Sequence, residues 1–582
     1  MKTQATKLAG RLATCLAVLP ACASGVLILK YSVDVPYWDQ WDIAPFFEKL
    51  SHGSLTPADL FAQQNEYRQF FPNLIFVVLG WLTRWNVKYE MLVSFLLACL
   101  VSFNVYRLGA WTIADPRRRG LLLLVANLLI FSAIQTENWL FGVQVVYFMP
   151  AACVTTGVLV AYSDRLGTGA RFLIGLCLSI VSTFSSANGI LCWLVLPPVL
   201  ALARGEGRMA WRRWLPLWAA GLALCAALYV YDYQKPALHP DPSEALARPA
   251  DALVYLLAFL GGPLAVGRHP LAVATAVGAG VAAAYAYACA YILKFRGAGA
   301  LVRRLIGWAM IGAYSVGTAA MVTTGRLGFG VDQALTMRYT TFSLYLLVAL
   351  VYLLPEILDD SLRRGHFAKS GVWLKRLAVA AAVSLILVHA LIFVLMIRHG
   401  ARPARRGLLH AKACLLFINV VADELCLTQK LYPDLRVLRD RAGALDRAGF
   451  LRPPLFKSDR VVDFAAAAGA CSEAHGSFED LSAAGDVYVA SGRARLPDGG
   501  EPADAVILAY GRSEDDQRVF ALAGMGVEGD PAVDAGRSAR WRKTFPAGGL
   551  PAGTFELTAW AFDAAAGKAY KLCGAHTVQG SS

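Results

Sequence analysis

The stretch Tyr31-Ser32-Val33-Asp34-Val35-Pro36-Tyr37-Trp38-Asp39-Gln40-Trp41-Asp42 follows directly on an uncharged apolar run from Leu12 to Leu29. A run of that length is long enough to cross a bilayer. Three carboxylates bracketed by tryptophans therefore stand where the chain leaves the membrane, and acids so close to hydrocarbon are costly to desolvate and mark function. A second polar cluster, Gln64-Asn65-Glu66-Tyr67-Arg68, comes soon after. A first span followed at once by an acidic loop makes this a membrane protein with chemistry at its outer face.

Composition agrees. The chain has 582 residues, 57% of them hydrophobic and only 16% charged, and its mean hydropathy is +0.48. That excludes an ordinary soluble protein. The net charge of +14 does not indicate a nucleic-acid partner, because the basic residues sit in short clusters between apolar runs, as cytoplasmic loops do. The clusters are Lys2/Lys7/Arg11, Arg107/Arg117/Arg118/Arg119, Arg165/Arg171, Arg204/Arg208/Arg212/Arg213, Lys294/Arg296/Arg303/Arg304 and Arg363/Arg364/Lys369/Lys375/Arg376.

With a cytoplasmic N-terminus, two spans separate consecutive clusters. The spans are expected at 8–30, 88–112, 120–136, 143–163, 171–187, 189–203, 214–232, 270–293, 305–324, 339–358 and 377–397, about eleven in all. An odd number places everything after Arg398 outside. Segments 70–83 and 251–266 are apolar but short, and read as interfacial or re-entrant helices. The sequence Leu19-Pro20-Ala21-Cys22-Ala23-Ser24 has the look of a cleavage or lipoprotein site. The apolar run continues past it to Leu29, which favours a retained anchor.

Eight of the twelve cysteines lie in expected spans, where cysteine behaves as a small apolar residue. Cys414, Cys426, Cys471 and Cys573 lie in the region placed outside, where disulfides form. Pairing Cys414 with Cys426 and Cys471 with Cys573 is preferred, and four free thiols stay open as the alternative.

Three domains are expected. Residues 1–400 form an all-α membrane domain with the first external loop at 31–87. Residues 401–456 form an amphipathic helical connector, with Leu408, Leu409, Ala413, Leu416, Val420 and Leu427 at helical spacing and Pro453-Pro454 as its stop. Residues 457–582 carry short alternating strands between glycine-rich turns and read as a β-sandwich.

Four constellations could carry chemistry. In the first, Asp39 and Asp42 are three residues apart, so a helix over Trp38–Leu50 puts both on one face. One can take a proton from an acceptor hydroxyl while the other orients it or holds a metal; Asp39 stands first, then Asp42 and Asp34. The competing structural role is Asp42 as N-cap of a helix over Ile43–Leu50. In the second, Asn65-Glu66-Tyr67-Arg68 offers a guanidinium suited to a lipid phosphate, against a structural Glu66–Arg68 pair. The third is Glu137 in Thr136-Glu137-Asn138-Trp139, where a polar group at the membrane boundary serves either packing or substrate contact. The fourth joins Thr324-Gly325-Arg326-Leu327-Gly328-Phe329-Gly330 to Met337-Arg338-Tyr339-Thr340-Thr341. Arginines with glycine-freed backbone N–H groups make an anion site, with Arg338 ahead of Arg326; snorkelling arginines in an aromatic belt are the alternative.

Other signatures are missing. There is no Walker loop, dinucleotide fingerprint or His-Glu-x-x-His, and none of the nine histidines has zinc-ligand spacing. His389, within a span, reads as a packing residue. An outward-facing enzyme without a nucleotide site needs a membrane-borne donor.

The pattern resembles the GT-C glycosyltransferases: aspartates directly after the first span, interfacial helices in the first external loop, many spans and a C-terminal β-domain. That resemblance implies a polyprenyl-phosphate-linked sugar donor and a catalytic Asp in the first loop, here within Trp38-Asp39-Gln40-Trp41-Asp42. The family's motif is often an adjacent acidic pair, which this chain lacks. The stretch is also similar to bacterial membrane proteins with Asp-x-Trp-Asp followed by Asn-Glu-His-Arg, and Tyr67 stands where those have His. The β-domain resembles carbohydrate-binding or immunoglobulin-like modules.

The expectation is an inverting glycosyltransferase of the bacterial inner membrane, N-terminus cytoplasmic and C-terminal domain periplasmic. It would transfer sugar from a polyprenyl-phosphate donor to a glycan or lipid-linked acceptor. Asp39 would act as base assisted by Asp42. Arg338, Arg326 and Arg68, with Glu66, Asn65, Glu137 and Tyr339 beside them, would line the donor site. No cofactor is required; Mg²⁺ or Mn²⁺ fits without being demanded. Membrane lipids are partners and nucleic acid is not. The rivals are a lipid-linked glycan transporter, expected to line its spans with charge, and a polysaccharide polymerase or ligase, expected to have a large late external loop.

Overall fold

The computed structural model describes residues 10–204, 212–265, 269–365, 371–466, 471–497, 500–526 and 539–580. Of the basic clusters, Lys2, Lys7, Arg208 and Lys369 lie outside the described residues.

Among these residues, eight helices are long and apolar enough to cross a membrane: Gly10–Tyr31, Lys88–Thr112, Pro116–Trp139, Gly142–Ala161, Pro270–Lys294, Gly299–Phe329, Met337–Arg363 and Arg376–Leu416. The expected spans at 171–187, 189–203 and 214–232 correspond to shorter apolar helices, Thr168–Thr183, Ala187–Leu202 and Leu215–Val230. Each lies close to its expected length, and each falls short of the eight. The Ser185-Ser186 break is followed by a 3₁₀ turn at Ala187–Leu191, and Pro197 and Pro198 lie inside the next helix. The two segments expected to be interfacial or re-entrant are likewise short helices, Phe70–Thr83 and Pro249–Leu264.

The chain divides into two compact units. The first comprises Met1–Lys30, Pro57–Ile75 and Glu90–Met396. Its helices begin where capping allows. Asp115, for example, accepts from Arg117 N at 3.1 Å and Arg118 N at 3.3 Å, with Pro116 at the first helical position. Polar side chains pair between helices: Asn104 Nδ2 donates to Thr156 Oγ1 at 2.9 Å, Asn127 Nδ2 to the Ala17 carbonyl at 2.7 Å, and Trp308 Nε1 to Thr112 Oγ1 at 3.1 Å. Trp308 also stacks on Tyr352 with centroids 3.8 Å apart.

The second unit comprises Tyr31–Thr56, Phe76–Tyr89 and Ile397–Ser582. Parts of the first external loop therefore fold with the C-terminal region, a grouping that sequence order does not reveal. The connector resolves into helices Arg402–Leu416, Glu424–Lys430 and Leu435–Arg447. Asp423 caps the second of these and Asp434 the third.

Numbering strands along the whole chain, β1 (Gln63–Gln64) and β2 (Tyr67–Arg68) form a small hairpin in the first unit. The second unit holds β3 (Gly476–Ala484), β4 (Val487–Ala494), β5 (Ala505–Gly511), β6 (Arg518–Ala523), β7 (Arg540–Pro546), β8 (Gly553–Asp563) and β9 (Lys568–Gly580). They make one sheet in the order β6-β5-β8-β9-β3-β4-β7. The two edge strands approach each other through the Met525–Trp541 bridge, so the sheet is nearly closed. The ladder is thus one continuous order, where the sequence suggested two stacked sheets. A curled sheet and a sandwich share the same alternation along each strand, which is why pattern alone does not separate them. Trp541, Phe478, Phe545 and Phe555 fill its interior. The disulfides are Cys414–Cys426 and Cys471–Cys573, the preferred pairing.

Candidate functional site

In the first unit, the β1–β2 hairpin turns through Asn65 and Glu66, with Gln64 opposite Tyr67. Asn65 adopts φ +50°, a left-handed conformation that asparagine tolerates well. The turn carries Glu66 to the wall of a cleft of about 420 Å³. Gln63 ties the hairpin to the 232–240 loop: its Nε2 donates to the Gln234 carbonyl at 2.6 Å and its Oε1 accepts from Gln234 N at 3.0 Å.

At Glu66 the charges converge. Arg326 Nη2 donates to Glu66 Oε1. His239 Nδ1 lies 3.3 Å from Glu66 Oε2, and His239 Nε2 lies 3.3 Å from Arg326 Nη1. One arrangement satisfies both contacts: a neutral imidazole donating from Nδ1 to the carboxylate and accepting at Nε2 from the guanidinium. Burial, helped by Lys235, holds the His239 pKa below its usual value, which favours that neutral form. Lys235 also lines the cleft and pairs with Asp241 at 3.3 Å.

Aromatic side chains make up much of the remaining wall. Tyr67, Tyr147, Tyr229, Tyr339 and Phe342 line it. Burial raises the Tyr67 hydroxyl well above its usual value, with Tyr147, Tyr339 and Tyr229 acting in the same direction and Arg338 opposing. Tyr339 is steadied from behind by Phe259, with centroids 5.7 Å apart. The cleft is therefore amphipathic, with arginine, lysine and histidine beside phenol rings.

Arg338 and Glu137 meet as neighbours. The Arg338 backbone N–H donates to the Glu137 carboxylate, and the two charges attract. Asn138 Nδ2 donates to the Arg338 carbonyl at 2.9 Å and to Thr341 Oγ1 at 2.6 Å, fixing the segment that carries Tyr339. Arg68 turns its guanidinium to backbone carbonyls. It donates to the carbonyls of Tyr229 at 3.0 Å, Phe61 at 3.2 Å and Tyr231, so its guanidinium is a buried strut. Nor does it pair with Glu66, whose partner is Arg326.

The three aspartates belong to the second unit. Asp39 and Asp42 lie in a 3₁₀ turn, Trp38–Ile43, where residues three apart eclipse each other. They share a face as expected, through a tighter helix than the α-helix assumed. Asp39 is exposed. Asp42 Oδ1 accepts from Arg441 Nη1 at 2.7 Å and from the Tyr432 hydroxyl at 3.1 Å. It does not cap the following helix, Ala44–Ser51, whose N-cap is Ile43. Asp34 Oδ1 accepts from Val87 N at 3.2 Å. Burial raises its pKa, while Lys412 opposes the shift. The pair borders a cavity of only about 20 Å³.

Two features had no counterpart in the sequence reading. His239 and Lys235 were not singled out; the available signal was a pair of basic side chains flanking Pro236 inside an external loop. His410, Cys414 and Cys426 place their ligand atoms within 4.8 Å of one another, but both sulfurs are joined in the Cys414–Cys426 disulfide. His389, as expected, is packed: its Nδ1 lies 3.0 Å from the Leu385 carbonyl.

Comparison with known proteins gave no match to a family model, to a curated protein or to a solved structure.

Proposed function

We propose that this chain is a membrane glycosyltransferase of the GT-C kind. It takes a sugar from a polyprenyl-phosphate carrier and transfers it, with inversion, to a glycan or lipid-linked acceptor on the outer face of a bacterial inner membrane. The observation that carries this reading is the amphipathic cleft, with Arg326 and His239 at Glu66, Lys235 also on the wall, and five tyrosines among the other lining residues. Such a cleft suits an anionic head joined to an apolar chain. The eight apolar helices of spanning length supply the setting. Arg338, held beside Glu137, adds a second guanidinium near Tyr67.

In this reading the acceptor oxygen attacks the anomeric carbon from the face opposite the carrier phosphate. The C–O bond to the acceptor forms as the bond to the phosphate oxygen breaks. The electron pair leaves with the polyprenyl phosphate, whose growing charge Arg326 neutralises. The acceptor proton passes to a carboxylate. The resemblance puts that role within Trp38-Asp39-Gln40-Trp41-Asp42, and we give it to Asp39, with Asp42 beside it on the same face of the turn and anchored by Arg441.

The test uses purified full-length protein in nanodiscs, with undecaprenyl-phosphate sugars as donors and cell-envelope glycan as acceptor. Release of undecaprenyl phosphate by the wild type, reduced at least about 100-fold in Asp39→Asn with folding unchanged, is the expected result. Loss confined to Glu66→Gln would move the base into the cleft. Donor binding without release in any variant would favour carriage of the lipid-linked sugar over its transfer.

A further inference from the structure

One residue of the cleft carries an unused hydrogen-bonding capacity. Asn188 lines the cavity and is 5% exposed. Its Nδ2 donates to the Tyr314 hydroxyl at 2.8 Å and to Thr318 Oγ1 at 3.2 Å. Its Oδ1 is buried and has no partner among the described residues. A buried amide oxygen left unpaired is unfavourable, and native structures rarely retain one without a use.

The backbone holds that oxygen in place. Asn188 sits in the Ala187–Leu191 3₁₀ turn, and the next residue, Gly189, packs directly on the Ser182 carbonyl. A Cβ at Gly189 would overlap that carbonyl, so the close approach requires glycine. With both amide donors bound and the turn packed down, Asn188 has little freedom to rotate.

Its anchor lies on the same helix as the cationic group. Thr318 and Arg326 both belong to Gly299–Arg326. At helical rise their separation is about 12 Å, enough for one pyranose ring and its phosphate. Asn188 is thus an acceptor site at one end of that distance, and Arg326 with His239 and Glu66 forms a charged site at the other.

Resting on the donor reading above, we propose that Asn188 is the residue that reads the sugar: its Oδ1 accepts a hydrogen bond from a ring hydroxyl of the donor whose phosphate lies at Arg326. An acceptor built to receive a hydroxyl rejects a sugar that lacks it, so this residue sets which sugar the protein takes.

The experiment measures binding to the full-length protein in nanodiscs. The probes are bare undecaprenyl phosphate, the same carrier bearing glucose, galactose or mannose, and monodeoxy forms of whichever hexose binds best. In the wild type, one deoxy position is expected to weaken binding at least tenfold. In Asn188→Leu the bare carrier keeps its affinity within twofold, the hexose carrier loses at least tenfold, and the deoxy carrier loses nothing more. Thr318→Val, which loosens the anchor but keeps the acceptor, is expected to retain the discrimination; a purely structural role would make it behave like Asn188→Leu. Equal losses for bare and sugar-bearing carriers, or no sensitive deoxy position in the wild type, would overturn the assignment of Asn188 alone. Failure of the wild type to bind even the bare carrier would overturn the donor reading, and this inference with it.

Discussion

Glu66 and Asp34 are both half-buried carboxylates that face a cation, yet their surroundings differ sharply. Glu66 stands on the wall of a cavity of about 420 Å³, and Asp34 borders one of about 20 Å³. Arg326 and His239 meet Glu66 in a space that can admit a ligand, whereas Asp34 accepts from the Val87 N–H and feels the charge of Lys412 where the chain fills the space. A charged pair therefore does not define a site. The empty volume beside it decides whether its charge serves a ligand or holds the fold.

The strongest way to break this comparison is Asp34→Ala. It removes the acid that most favours the charge on buried Lys412 and is expected to destabilise the protein by about 3 kcal/mol. Thermal unfolding in detergent checks this, and undecaprenyl-phosphate affinity should stay within twofold. A loss of affinity without a loss of stability would make Asp34 a ligand-binding residue after all.

Next comes Arg326→Ala, expected to weaken undecaprenyl-phosphate binding about 100-fold, or about 2.7 kcal/mol. Arg441→Ala, which removes the cationic partner of Asp42, is the control and should change binding less than twofold. Equal effects would erase the distinction between a cation that faces a cavity and one that does not.

Asp504 extends the comparison to a third carboxylate. It is 8% exposed, accepts from Ala564 N at 2.9 Å, and burial pushes its pKa from 3.8 up to about 6. A raised carboxyl pKa means the folded chain holds the proton more tightly than the unfolded chain. The contribution of Asp504 to stability is then greatest below pH 3.8 and falls as the pH rises toward about 6, with no further loss above. Asp504→Asn, neutral at every pH, should match the wild type near the low end of that window and exceed it by about 3 kcal/mol at pH 7.5. Unfolding followed across the window tests the sign, and a gain that shrinks with rising pH would reverse it.

The smallest effect is expected of Glu66→Gln. The pair is partly exposed, at 18% and 19%, so stability should change by less than about 1 kcal/mol. Freed from its carboxylate, Arg326 should bind undecaprenyl phosphate at least as tightly as before. Weaker binding would show that Glu66 itself touches the ligand.

Much of the fold was legible because it rests on local pattern. Apolar runs of bilayer length, prolines, capping aspartates and alternating strands act over a few residues and can be read in order. The disulfide pairing was preferred correctly for a related reason, since two short-range cysteines leave two distant ones to each other. The helix count was less legible. Hydropathy at 171–187, 189–203 and 214–232 says apolar, and the helices found there are apolar but shorter than the eight of spanning length.

The site divided along the same line. Glu66, Arg326 and Tyr339 were visible as unusual residues in external loops, and all three line one cavity. Arg68 was equally visible and serves as a strut, because the carbonyls it satisfies come from Tyr229 and Tyr231, far away in sequence. His239 gave little signal by itself; its meaning comes from Glu66 and Arg326, on two other segments.

The sequence by itself determined the class of the molecule: a chain too apolar for water, with helices of bilayer length, an acidic first loop and a β-rich C-terminal region. Those properties follow from composition and short periodicities, which need no partner to be expressed. The tertiary structure alone decided which charged residues meet and whether space remains between them. It set Glu66 against Arg326 and His239, turned Arg68 inward, grouped parts of the first loop with the C-terminal unit, and left the Asn188 oxygen without a partner among the described residues. Such pairings form between segments hundreds of residues apart, where chain packing selects the neighbours.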